Sequence, residues 1–213
     1  EHDKSERLLL NILPPRIAER LKHQEATIAE SFEEVSVLFA DLVGFTALSR
    51  SISPHRLVVL LNTIFTQFDQ LAVQHNLEKI KTIGDDYLVV GGLSVENPDH
   101  VQSIIQMGLD MNKAIDEVNE TLSHSLSIRI GIDCGPVVAG VIGKNKFIYD
   151  LWGDTVNTAS RMESSGIEGY LQITESVYEK VNSSFSFESR GDIQVKGIGT
   201  VGTYLLNTTT EKG

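Results

Sequence analysis

Apolar residues recur at helical spacing over two long stretches. Leu57, Val58, Leu60, Leu61, Ile64, Phe65, Phe68, Leu71 and Ala72 follow Pro54, a residue suited to a helix start. Val101, Ile104, Ile105, Met107, Leu109, Met111, Ile115 and Val118 repeat the period. Both predict long helices whose apolar stripes are core faces. Short β-branched and aromatic runs at 35–40, 77–82, 87–90, 126–132, 147–151, 170–173, 185–188 and 203–206 predict strands. Helices and strands in this order fit an α+β sandwich with a mainly antiparallel sheet flanked by helices. No internal repeat or low-complexity linker interrupts it.

The first thirty residues have another character. Leu8, Leu9, Leu10, Ile12 and Leu13 follow Ser5, a helix-capping residue type, and Pro14-Pro15 breaks the run before a second short helix over 16–22. So many leucines on one helix need a partner. The division expected is a helical connector over 1–30, pairing with its own copy, followed by a catalytic domain over 31–213.

Three segments carry candidate chemistry. In FADLVGFT (39–46), Asp41 follows an apolar strand and is displayed where the chain turns. The backbone N–H groups of Gly44, Phe45 and Thr46, at the start of a helix, suit phosphate oxygens. In KIKTIGDDY (79–87), Gly84 allows a tight turn and sets Asp85 on a hairpin tip. Either aspartate alone reads better as a solvated turn residue. Brought together by neighbouring strands, two carboxylates repel unless a hard divalent cation lies between them. Alternation along the strand points Asp86 away from Asp85. The third segment, KFIYDLWGDTVNTASRME (146–163), predicts a strand, a glycine turn and a helix capped near Asp154 or Thr155. Asn157 and Arg161, one turn apart, then address one ligand from the same helix face.

Taken together, and over most of the chain from Val35 to Asn207, these motifs resemble the class III nucleotidyl cyclase catalytic domain, the family of adenylyl and guanylyl cyclases. The resemblance implies a ferredoxin-like β-α-β-β-α-β core with C-terminal additions. It makes Asp41, Asp85 and the Leu42 backbone carbonyl ligands of two divalent cations, Mg²⁺ with Mn²⁺ as a substitute. It makes Lys81 and Asp150 the residues that read the base, and this Lys and Asp go with adenine; guanine-selective members carry Glu and usually Cys there. Asn157 matches the residue that orients the ribose, and Arg161 the one that stabilises charge on the pentavalent phosphorus. Lys196, in QVKGIG (194–199), matches a triphosphate-binding lysine, and Arg129, in IRIG (128–131), an arginine near the β-phosphate. The activity implied is conversion of ATP to 3′,5′-cyclic AMP and pyrophosphate. Sites in this family form across a head-to-tail dimer, so the expectation is an active homodimer and an inactive monomer. N-terminal segments like this one couple an upstream sensor or membrane region to catalysis.

Competing readings are weaker. The Gly-Gly-Asp/Glu-Glu-Phe hairpin of a diguanylate cyclase is absent at 83–87, Lys81 and Asp150 disfavour a guanylyl cyclase, and a silent dimerisation module would lack one of the metal or phosphate residues. GVIGK (140–144) lacks the glycine spacing and the Ser or Thr of a phosphate loop. The six histidines are scattered without zinc-site spacing.

Composition agrees with these expectations. With 213 residues, 41% of them hydrophobic, the chain has material for one sizeable core. Acidic residues outnumber basic ones by 29 to 18, a net charge of −11 that repels nucleic acid in the absence of a basic run. That charge also opposes a free triphosphate, so metal-bound ATP is the expected substrate form. Cys134 is the single cysteine, which excludes an intrachain disulfide and fits a reducing, cytoplasmic setting, buried and inert. No apolar run approaches the ~20 residues of a membrane span. The expectation is a cytoplasmic catalytic domain, with membrane anchoring elsewhere in a longer protein left open.

Overall fold

The computed structural model describes residues 1–23, 27–123 and 125–207. Residues 24–26 of the expected connector and 208–213 of the expected catalytic domain lie outside them. The described elements are α1 (His2–Leu10), α2 (Pro15–Lys22), β1 (Ile28–Val43), α3 (Phe45–Ser49), α4 (Pro54–Gln74), β2 (Glu78–Ile83), β3 (Asp86–Gly91), α5 (His100–Asn119), β4 (Ser127–Ile142), β5 (Ile148–Trp152), α6 (Asp154–Ser164), β6 (Tyr170–Thr174), α7 (Glu175–Val181), β7 (Glu188–Val195) and β8 (Gly199–Asn207).

One sheet runs in the order β2-β3-β1-β4-β6-β8-β7, with β5 paired to the far end of β4. Its pairs are antiparallel except β4–β6. β1-α4-β2-β3-α5-β4, with β1 and β3 central, is the expected β-α-β-β-α-β core, and β5 to β8 with α6 and α7 are the additions.

Alternation along the strands divides the interior into two layers. Leu38, Ala40 and Leu42 of β1, Tyr87 and Val89 of β3, and Ile128, Ile130 and Ile132 of β4 pack against α4, α5 and α7. Phe65, Phe68 and Tyr87 interlock as tilted and edge-on rings in that layer. α4 starts where its sequence says, with Pro54 in the first turn and the Ser53 hydroxyl accepting from the Arg56 N–H. Val37, Phe39, Leu88 and Val90 face the other way, onto Leu13 and Ile17 from the N-terminal segment, Tyr149 and Leu151 of β5, and Ala159 of α6. That second layer is thinner, and it is the face that bears the charged residues described below.

The N-terminal helices behave differently from one another. α1 buries no residue, and Leu8, Leu10 and Ile12 stay exposed. Ile17 of α2 is fully buried, and the helix lies on the sheet with Arg16 ion-paired to Glu30.

Three local expectations are corrected. The run at 185–188 is not itself a strand; β7 begins at Glu188, exposed along nearly all its length, so apolar patterning does not mark it. α6 has no side-chain cap from Asp154 or Thr155; Gly153, with φ 131°, precedes it, and the Thr155 hydroxyl donates instead to the Pro136 carbonyl at 2.8 Å. Asp86 is the third and is treated with the site.

Candidate active site

The metal-binding candidates gather at one end of β1. Asp41 lies opposite Asp86 of β3 and opposite Arg129 of β4 in the strand register. All three fall on the second-layer face, since they alternate with Ala40, Tyr87 and Ile128 of the first. α6 adds Glu163, 7% exposed. One carboxylate oxygen each from Asp41, Asp86 and Glu163 lies within 4.8 Å of the others. Asp85 stands beside them in the β2–β3 turn, its carbonyl accepting from the Leu42 N–H at 3.2 Å and its carboxylate near enough to raise the pKa of Asp41.

Asp86 therefore points into the cluster, contrary to the sequence expectation. Alternation does not extend through a turn: Asp85 belongs to the turn and Asp86 is the first residue of β3, so both reach Asp41.

Electrostatically the carboxylates outnumber the one positive charge among them, Arg129. Burial, then the charges of Asp85 and Glu163, push Asp41 up to about 6 against the pull of Arg129. Burial and the charges of Glu163 and Asp41 push Asp86 up to about 7. One oxygen of Asp86, Oδ1, is buried without a hydrogen-bond partner. Hard carboxylate oxygens converging with one of them unsatisfied fit a divalent cation of the Mg²⁺ or Mn²⁺ type. Arg129 is the local counter-charge, with Nε 2.8 Å from Glu163 Oε2 and Nη2 3.5 Å from Asp41 Oδ2.

α6 can approach so closely because β4 has Gly131 beneath it. A Cβ there would lie 1.9 Å from the Glu163 backbone nitrogen and 2.6 Å from the Ala159 carbonyl oxygen. Backbone therefore rests on backbone, and Glu163 meets Arg129, two residues from the glycine.

The candidate base readers are joined directly. Lys81 Nζ donates to Asp150 Oδ2 at 2.7 Å, and Asp150 Oδ1 accepts from the Leu151 N–H at 2.8 Å. Asp150 lies opposite Gly140 in the β4–β5 hairpin, flanked by the register pairs Val138–Trp152 and Ile142–Ile148. All four of these flanking side chains are exposed, as is Phe147.

Asn157, Arg161 and Lys196 form a third group. They line an open pocket of about 360 Å³ with Ser160, Ser164, Gln194 and Val195. Asn157 and Arg161 are on the exposed face of α6, while Glu163 is on its buried face. One chain thus assembles a carboxylate cluster with Arg129, a Lys–Asp pair and a basic pocket, with the first and last on opposite sides of one helix. Phe45 contributes only backbone to any ligand, because its ring is in the core; Thr46 is exposed in the first turn of α3 after Gly44, whose φ is 89°. Glu163 was missed from sequence, where nothing separates it from an ordinary helix-end glutamate.

Comparisons with known proteins place the chain in a family. The Adenylate and Guanylate cyclase catalytic domain family matches residues 27–208. The chain is 47% identical over 207 residues to an adenylate cyclase of Mycobacterium tuberculosis, covering 97% of this chain and 47% of that protein. It is 40% identical over 208 residues to the guanylate cyclase soluble subunit beta-2 of Rattus norvegicus, covering 97% of this chain and 30% of the relative. The chain thus spans about half the length of the first and less than a third of the second. Among solved structures, the catalytic core of a rhodopsin-guanylyl cyclase with converted specificity, in complex with ATPαS, superposes with a TM-score of 0.77 at 37% identity, covering 84% of this chain and 97% of that one. The chain belongs to the adenylate and guanylate cyclase catalytic domain family.

Proposed function

We propose that this cyclase domain is an adenylyl cyclase, converting ATP to 3′,5′-cyclic AMP and pyrophosphate in a homodimer with shared sites. The observation that carries the choice of base is the Lys81–Asp150 pair. Adenine presents an acceptor at N1 beside a donor at the 6-amino group; a lysine donor fixed beside a carboxylate acceptor is the matching pattern. Guanine presents the reverse, a donor at N1 and an acceptor at O6, and would meet like against like.

Asp41, Asp85 and the Leu42 carbonyl would hold two cations, with Asp86 close enough to join them. Bound there, Mg²⁺ or Mn²⁺ would draw charge from the attacking 3′-oxygen and from the phosphates. In the reaction the 3′-hydroxyl passes its proton to water or a substrate phosphate as its oxygen bonds to the α-phosphorus, and the bond from that phosphorus to pyrophosphate breaks. Arg161 is assigned to the charge that grows on the α-phosphoryl oxygens, where a fixed guanidinium acts more strongly in the transition state than on bound ATP. Asn157, a turn away, orients the ribose. Lys196, from the same pocket, and Arg129, beside the carboxylates, take the remaining phosphates, with the backbone at Phe45 and Thr46.

Two features support a two-fold assembly. Arg161 and Glu163 face opposite sides of α6, so Arg161 is turned away from the carboxylates of its own chain and available to those of another. Val138, Ile142, Ile148 and Trp152 make an exposed apolar surface around Asp150 that a second copy would cover. No described helix is long and apolar enough to cross a membrane. In this reading a sensor or membrane region of a longer protein would deliver its signal through α1 and α2 to a cytoplasmic catalytic domain.

The test is an assay of the purified chain with ATP and with GTP, each with Mg²⁺ or Mn²⁺, reading cyclic product by chromatography. Cyclic AMP in excess is expected. Predominant cyclic GMP would refute the choice of base, and no cyclic product at concentrations where the chain is dimeric would refute catalysis.

A further inference from the structure

Glu163 is a buried charge that the reaction as written does not use. A carboxylate taken out of water is costly unless paired, and the hydrogen bond it receives is from Arg129 Nε at 2.8 Å. Arg129 in turn spans two elements. Its Nε edge is held by α6, while Nη2 lies 3.5 Å from Asp41 Oδ2 on the central strand. A guanidinium is planar, so fixing one edge fixes the direction of the other donors. Gly166, just past the end of α6, completes the hold: a Cβ there would come within 3.2 Å of Arg129 Cγ.

We propose that Glu163 is a positioning residue for Arg129, holding its guanidinium at the edge of the carboxylate cluster so that the metal-binding oxygens stay open and the free donors face the departing phosphates. Asp41, 3.5 Å from Nη2, is the alternative partner within reach, and Asp86 stands beside it in the cluster. Released from Glu163, Arg129 turns onto them, where it competes with the cation and no longer addresses pyrophosphate. Glu163 thus acts through Arg129 and is not itself a ligand. The inference rests on the cyclase reading for the phosphate and on the geometry alone for the cation.

A double-mutant cycle of Glu163→Gln and Arg129→Gln tests this, with two readings. The first is Mn²⁺ affinity of the nucleotide-free chain, followed by electron paramagnetic resonance. Glu163→Gln is expected to weaken it about tenfold, a coupling of the size found within one ion-pair network. In the Arg129→Gln background the same change is expected to do less than about twofold, because no guanidinium remains to swing. The second is inhibition by pyrophosphate, weakened about tenfold by either single change and no further by both. Equal losses of Mn²⁺ affinity in both backgrounds would make Glu163 a ligand and overturn the proposal. So would wild-type values for Glu163→Gln in both readings. Glu163→Asp, which keeps the charge but withdraws it by one methylene, serves if Glu163→Gln does not fold; a folded Glu163→Asp chain identical to wild type in both readings also overturns it. Absence of cyclic product from the wild type would sink the cyclase reading and leave the Mn²⁺ cycle intact, so the two failures are distinguishable.

Discussion

Exchanging Lys81→Glu together with Asp150→Cys should reverse the base preference. In the chain as it stands the ammonium and carboxylate are 2.7 Å apart, with their side chains 31% and 18% exposed. Each is expected to make one charge-assisted hydrogen bond to adenine, and such bonds contribute roughly 1.5–3 kcal/mol. Partial solvent access at Lys81 argues for the lower end, so losing both costs about 3 kcal/mol, or about 10²-fold in kcat/KM for ATP. GTP gains, because the carboxylate introduced by Lys81→Glu would accept from its N1–H. Lys81→Glu alone should impair both nucleotides, since it sets a second carboxylate against Asp150. The assay is kcat/KM for each nucleotide with Mn²⁺ saturating, and the ATP:GTP ratio should fall at least about 10²-fold in the double variant. A ratio within twofold of the wild type would remove Lys81 and Asp150 from base recognition, whatever else the domain does.

Mixing Asp41→Ala with Arg161→Ala chains should restore activity to about a quarter of the wild-type level, because random pairing makes half the dimers mixed, each with one intact site of two; no gain over either variant alone would refute shared sites. Asp133, buried and accepting from the Thr174 hydroxyl at 2.7 Å, is pushed up to about 6 by burial. Its folded pKa exceeds the unfolded value, so the native state binds the extra proton and stability falls as pH rises from about 4 to 6, by about 3 kcal/mol. Asp133→Asn should flatten that part of the profile in urea titrations and make the protein more stable at pH 7; an unchanged slope would refute the assignment. Ile17→Ala in α2 should cost about 2–5 kcal/mol by chemical denaturation, because the side chain is fully buried against the sheet; a loss under about 0.5 kcal/mol would mean that α2 does not dock in solution.

Sequence pattern and structure agree where periodicity is strong. The stripes of α4 and α5 lie in the first layer, while Asp41, expected at a turn after the apolar run, lies half-buried within β1, which continues to Val43. Patterning fails at the edges: β7 has only one buried residue, so burial leaves no mark on its sequence, and α7 is too short for a period to emerge. Asp86 was misplaced because alternation was counted through a turn. Glu163 was invisible for a different reason. Its partner, Arg129, is distant in the chain, and only the docking of α6 on β4 brings them within 2.8 Å.

That docking has a mechanical corollary. Where Gly131 lies beneath it, the last turn of α6 has no side chain to compress or reshuffle against β4, so at that point helix and strand move together. A signal arriving at this domain finds little slack there with which to slide the arginine-bearing helix along its own sheet. The spacing between the two at Gly131 is cast in the main chain.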